Sequence, residues 1–160
     1  MKQEKLPEVK NFKIVCQDLG KILIYTNTYD LGPRHIIGNA EVYISTDLII
    51  TRELSENLKN LLNNSPKQNI AQILKFYPHL VHSDDEANSK FPDWDSPLRK
   101  GIGTKVLEQI IEDSRRKDIK GVFCTASQRG MEGFLRSRNF QCVSIYNGGI
   151  DRLVDFYLPM

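Results

Sequence analysis

The chain has 160 residues, enough for a single domain, 1–160, with a buried core. Its 40% hydrophobic and 26% charged residues are those of a folded globule, not of a disordered or low-complexity chain. A net charge of +2 gives no argument for nucleic acid, and no stretch has the length and apolarity of a membrane span.

In chain order, residues 13–16 and 22–25 read as strands around Asp18-Leu19-Gly20, a hairpin signal. Gly32-Pro33 breaks the chain before a strand at 36–45, in which Ala40, Val42 and Ile44 alternate with Glu41, Tyr43 and Ser45. Residues 48–51 extend this strand or pair with it. Glu41 points away from Ala40 and Val42 and reads as a solvated strand residue, not a general base. Leu54, Leu58, Leu61 and Leu62 form one helical stripe. Ser65-Pro66 is a good helix start, serine as cap and proline in the first turn. Ile70, Ile73, Leu74 and Tyr77 then predict a second helix. Residues 82–97 are polar, hold two prolines and have no clear strand pattern.

The next stretch, Leu98-Arg99-Lys100-Gly101-Ile102-Gly103-Thr104-Lys105, heads an amphipathic helix expected over about 101–117, with Ile102, Val106, Leu107, Ile110 and Ile111 on its apolar face. A helix start carries partial positive charge and unpaired N–H groups, so acids normally occupy it. Here the start is basic, holds no acid and carries two glycines that let a ligand reach the backbone. Together these favour an anion, a phosphate above all; a glycine-rich turn with solvated lysines is the alternative. The dinucleotide fingerprint fails at Val106, where glycine is required, and the one Gly-Lys pair, Gly20-Lys21, precedes Ile22 and not Ser or Thr.

Downstream, residues 121–126 read as a buried strand and 127–139 as a helix ending at Asn139. Residues 142–146 and 150–158 are strands joined by Asn147-Gly148-Gly149. The order loop, helix, strand, helix over residues 98–140, just over a quarter of the chain, resembles the second half of the GNAT N-acetyltransferases. Their pyrophosphate loop reads Gln/Arg-x-x-Gly-x-Gly/Ala. Gly101 and Gly103 match it, Leu98 departs from it, and Arg99 fits after a one-residue shift. Asn139-Phe140 stands where Gly-Phe is usual.

The resemblance implies an α/β fold: a mixed, mostly antiparallel twisted sheet with helices on both faces and a strand running into the phosphate loop. A short irregular strand near residues 91–94 is preferred over 48–51 for that role. It further implies acyl-coenzyme A-dependent N-acyltransfer, acetyl from acetyl-CoA to a primary amine by direct attack. The alternative is a degenerate, non-catalytic domain that binds a coenzyme A species or mediates assembly. Arg99, Lys100, Gly101, Ile102, Gly103 and Thr104 would hold the pyrophosphate, Ser127 the pantetheine side and Arg138 the adenosine phosphate. Many family members protonate the leaving thiolate with a tyrosine at the position of Leu135, so the resemblance leaves Tyr146, a water or the solvent as the proton source. The expected partners are an acyl-CoA and an amine acceptor, without nucleic acid or membrane, and a homodimer is compatible with the resemblance.

Asp93 and Asp95 flank Trp94 ahead of the loop, suiting a cationic amine by charge and by cation–π contact, with Asp95 a catalytic candidate. The alternative is a solvated loop plugged by Trp94. His79, His82, Asp84, Asp85 and Glu86 have ligand chemistry but no strong zinc spacing, so no metal is expected. Gly130 and Gly133 serve either a coenzyme arm or close helix–sheet packing. Cys16, Cys124 and Cys142 read as reduced core thiols of a cytoplasmic protein, and residues 1–5 lack the apolar core of a signal peptide.

Overall fold

The Asp18-Leu19-Gly20 signal folds as a tight turn: the Gly20 amide donates to Asp18 Oδ1 at 2.9 Å, and the Leu19 amide donates to the Ile22 carbonyl. It joins β1 (Lys10–Asp18) to β2 (Ile22–Leu31) in an antiparallel ladder running from Asp18↔Leu23 to Lys10↔Asp30. The computed structural model describes residues 10–31, 34–50, 53, 55–64, 69–78, 101–127, 129–148 and 151–160. Within them follow β3 (Arg34–Ser45), α1 (Glu56–Asn64), β4 (Ile70–Tyr77), α2 (Ile102–Arg116), β5 (Gly121–Ala126), α3 (Arg129–Ser137), β6 (Gln141–Gly148) and β7 (Asp151–Pro159). The strands form one mixed, mostly antiparallel sheet in the order β1-β2-β3-β4-β5-β7-β6, with β4 and β5 parallel.

The predicted second helix is overturned. The stripe Ile70, Ile73, Leu74 and Tyr77 belongs to β4, not to a helix. Ile70, Ala71, Gln72 and Ile73 are buried in succession because a parallel strand is covered on both faces. Such a run has no period that separates strand from helix. β4 runs parallel to β5; the strand expected near residues 91–94, running into the phosphate loop, lies outside the described residues. Residues 48–50 form no strand. The Gln72 carboxamide instead takes the place of a strand neighbour: its Oε1 accepts from the Ile49 amide at 2.7 Å, and its Nε2 donates to the Ile49 carbonyl at 3.1 Å.

The chain divides into two compact units, Met1–Glu41 with Lys75–Ile110, and Val42–Leu74 with Ile111–Met160. In the first, Leu23, Tyr25, Ala40, Ile102, Val106, Leu107 and Ile110 are buried, each large side chain contributing roughly 1.5–3 kcal/mol. Asn27, 1% exposed, donates from Nδ2 to the Pro78 carbonyl at 2.8 Å. Glu41 is partly exposed, 4.0 Å from Lys75 Nζ.

In the second unit, Ser55 caps α1: its carbonyl accepts from the Lys59 amide and its Oγ from the Leu58 amide at 3.2 Å. Leu58 then joins Ile70, Phe123, Val143 and Tyr157 in a core flanked by Leu48, Ile50, Leu61 and Leu62. That core lies on one face of β5, β7 and β6. On the other, Arg136 of α3 sits 5.3 Å over the Phe156 ring, and Arg152 pairs with Glu132. Helices therefore cover both faces here, as expected from sequence. α2 and α3 end alike. Asp118 and Asn139 take left-handed φ of 59° and 68°, and the following amides of Ile119 and Phe140 donate back to Ser114 and Leu135. Asn139 thus performs the turn that glycine performs in Gly-Phe.

The three cysteines do not share one environment. Cys16 is exposed on β1, Cys142 is partly exposed, and only Cys124 is a core thiol. Burial, aided by the charge of Asp155, pushes the Cys124 thiol from 9.0 up to about 12. Between those values the folded chain holds a proton that the unfolded chain has lost, so stability falls as pH rises. Urea unfolding at pH 8 and pH 10 is expected to show a loss for the wild type that is smaller in Cys124→Ala. An identical pH dependence in both would refute the assignment.

Candidate functional site

α2 begins where its sequence predicts. The Gly101 carbonyl accepts from the Lys105 amide at 3.0 Å, which makes Gly101 the cap and places Ile102, Gly103 and Thr104 in the first turn, where amides point out of the helix end. Gly101 has φ 74°, a conformation that costs an L side chain roughly 1–2 kcal/mol, although the space beside it is open. The first turn holds no acidic residue, and Arg115 and Arg116 stand in the last. The helix thus carries basic residues at the negative end of its dipole and no acid of its own at the positive end. Ile102 is buried and anchors the turn, while Gly103 and Thr104 are partly exposed. The exposed Lys105 places its ammonium 5.3 Å over the Phe12 ring of β1.

Gly101, Ile102, Gly103 and Thr104 therefore lie together in one turn of the first unit. Arg99, Lys100, Asp93, Trp94, Asp95, His79, His82, Asp84, Asp85 and Glu86 lie outside the described residues. Among the described residues no group of His, Cys, Asp and Glu is placed to hold a metal.

The other sequence candidates belong to the second unit and to three separate elements. Ser127 is exposed and follows β5; α3 starts beyond it, at Arg129. Arg138 folds back on the end of α3, its guanidinium 4.8 Å over Phe134 and its Nη1 donating to Ser137 Oγ at 2.6 Å. Tyr146 is 45% exposed on β6, opposite Leu153. Leu135 is fully buried in α3.

Close helix–sheet packing does not explain Gly130 and Gly133. Both are exposed, and a Cβ at either would meet nothing within 4 Å. Gly133→Ala is therefore expected to stabilise the protein by about 0.5–1 kcal/mol through helix propensity alone. Thermal unfolding checks the sign, and a fall in midpoint would show that the glycine is needed in the fold.

A further cluster was not singled out from sequence. Asp155 of β7 is 2% exposed; its Oδ1 accepts from Thr125 Oγ1 at 2.8 Å and its Oδ2 from Ser144 Oγ at 2.6 Å. The signal available in the sequence was an acid in the middle of Leu153-Val154-Asp155-Phe156-Tyr157, since charge inside an apolar strand must be compensated. Its partners come from β5 and β6 and are not legible from spacing.

No family model matches this chain, and no curated protein does either. Solved structures do. NAA60 of Arabidopsis thaliana, in complex with acetyl-CoA, aligns with TM-score 0.60 at 13% identity over 88% of this chain and 77% of that one. FeeM, an N-acyl amino acid synthase from uncultured soil microbes, aligns with TM-score 0.56 at 9% identity over 91% and 77%. A GNAT-family protein from Desulfovibrio desulfuricans aligns with TM-score 0.50 at 13% identity over 89% and 70%. With its sheet order, its parallel β4–β5 pair and these structural neighbours, the chain has the fold of the GNAT acetyltransferases.

Proposed function

We propose that this chain is an acyl-coenzyme A-dependent N-acyltransferase that moves an acetyl group to a primary amine. The observation that carries it is the start of α2, a first turn with a left-handed glycine cap and no acid, on a fold shared with a protein solved in complex with acetyl-CoA. Such a turn suits the coenzyme's pyrophosphate by charge and by backbone access. Arg99 and Lys100 precede it in sequence and would add charge. Ser127 is assigned to the pantetheine side and Arg138 to the adenosine phosphate. The name of FeeM, an N-acyl amino acid synthase, agrees with nitrogen as the acceptor atom.

In the proposed reaction the neutral amine attacks the thioester carbonyl. The C–N bond forms and the C–S bond breaks; the nitrogen gives up one proton to a carboxylate, histidine or water, and the sulfur leaves as a thiolate that takes one. Holding amine and thioester together contributes through proximity. Leu135 has no proton to give, so Tyr146 is assigned as the acid and Asp95 as the carboxylate beside the amine. Tyr146→Phe is expected to lower kcat with little change in KM.

Native mass spectrometry of the purified protein, followed by incubation with acetyl-CoA and pooled amines while free thiol is monitored, tests this reading. A bound coenzyme mass and amine-dependent thiol release are expected. One observation favours a second reading, a coenzyme-binding domain without catalysis: a buried leucine occupies the usual tyrosine position. Coenzyme binding with no thiol release from any amine would select it.

A further inference from the structure

Burial alternates along β2 in the hairpin of the first unit. Leu23, Tyr25 and Asn27 are buried, so Ile22, Ile24, Thr26 and Thr28 lie on the opposite face. Their ladder partners share that face: Gln17 stands opposite Ile24, Val15 opposite Thr26 and Lys13 opposite Thr28. At the tip, the Leu19 amide donates to the Ile22 carbonyl at 2.9 Å and closes the hairpin. An antiparallel sheet that meets water on one face normally carries polar residues there. Here Val15 is 65% exposed, Leu19 57% and Ile22 36%, with Ile24 partly exposed among them. One such side chain is ordinary; several together at one end of a hairpin mark a contact surface.

Charge selects what that surface meets. Lys13 and Lys21 are exposed at its two ends, and neither ammonium is paired among the described residues. From the turn to the Lys13–Thr28 pair this face carries no acid, since Asp18 stands opposite the buried Leu23 on the other face. A second copy laid face to face would set lysine against lysine, which disfavours self-association here. The apolar residues gather instead at the free end of a hairpin whose β1 is the last strand of the sheet. Aliphatic side chains at a projecting end, with cations beside them, suit the headgroup region of an anionic bilayer by apolar burial and by charge.

We propose that the outward face and tip of the β1–β2 hairpin, Val15, Leu19 and Ile22 with Lys13 and Lys21, dock this chain reversibly on an anionic lipid surface. The contact is with one leaflet; among the described residues no helix is long and apolar enough to cross a membrane. It does not depend on the acyl transfer proposed above. Sequence alone gives no membrane partner, because the patch exists only once the two strands pair.

The test is co-sedimentation of the 160-residue chain with phosphatidylcholine vesicles, with and without about 30% phosphatidylserine. Binding is expected to the anionic vesicles alone. It should fade between about 0.1 and 1 M salt, as the screening length falls from about 10 to about 3 Å. Lys21→Gln is expected to weaken binding about fivefold, the worth of one lysine near such a surface. Leu19→Ser is expected to weaken it about tenfold, since a half-exposed leucine no longer leaves water. Val15→Thr keeps the strand propensity and reads the middle of the face in the same way. All three positions are exposed, so unchanged thermal midpoints are expected and show that the variants fold. No binding to anionic vesicles, equal binding to neutral ones, or full binding by both Lys21→Gln and Leu19→Ser overturns the proposal. Sedimentation velocity without lipid checks the other occupant. A monomer is expected, and a dimer that Leu19→Ser dissolves would give the face to a second copy and overturn the lipid assignment.

Discussion

Gly103→Asp is expected to weaken coenzyme A binding about a hundredfold, or roughly 2.7 kcal/mol. With Gly101 as the cap, Gly103 is the second residue of α2, inside the turn whose amides would meet the pyrophosphate. Aspartate there sets a like charge against the phosphate and puts a side chain where the ligand would approach the backbone. The same substitution favours the helix, because an acid in the first turn interacts well with the dipole, by about 0.3–1 kcal/mol. Binding and folding should therefore move in opposite directions. Calorimetry should record the lost affinity while thermal unfolding records an unchanged or raised midpoint. Unchanged affinity would remove the pyrophosphate from this turn, and a lowered midpoint would assign the glycine to the fold.

The largest stability effect is expected at Gly38→Ala. A Cβ at Gly38 would overlap the Pro78 carbonyl, which is backbone and is held by the Asn27 side chain at 2.8 Å. The clash cannot be relieved by rotating a side chain, so either the strand shifts or the Asn27 hydrogen bond breaks. Overpacking costs about 1–3 kcal/mol and the hydrogen bond about 1 more, which suggests a loss of about 3 kcal/mol. For a chain of this size that is a fall in melting temperature of roughly 6–12 °C. Gly133→Ala is the natural control, since the same methyl meets open space there and should raise the midpoint. A Gly38→Ala protein melting within 2 °C of wild type, roughly a quarter of the expected shift, would show that the end of β4 yields freely.

The parts of this protein that can be read from sequence are those whose causes are local. The turn at Asp18-Leu19-Gly20, the stripe of α1, the start and apolar face of α2 and the strand β5 all depend on residues within a few positions of one another. Asn139 could be read as a substitute for glycine because both tolerate a left-handed backbone. The acid-free start of α2, and with it the phosphate expectation, was legible for the same reason. Features that depend on neighbours distant in sequence emerge only with the fold. Residues 70–77 became β4 because pairing with β5 and cover on both faces outweighed an ambiguous apolar run. Cys16 and Cys124 both follow two apolar residues in a strand, yet one lies at the surface on the edge strand β1 and the other in the core on β5, inside the sheet. The Thr125–Asp155–Ser144 row joins residues 30 and 11 positions apart through two ladders and a register shift, and no one-dimensional spacing encodes that. Helix starts and turns are written in sequence because their energetics are short-range; strand partners and buried polar rows are not, because the contacts that stabilise them exist only once the sheet has assembled.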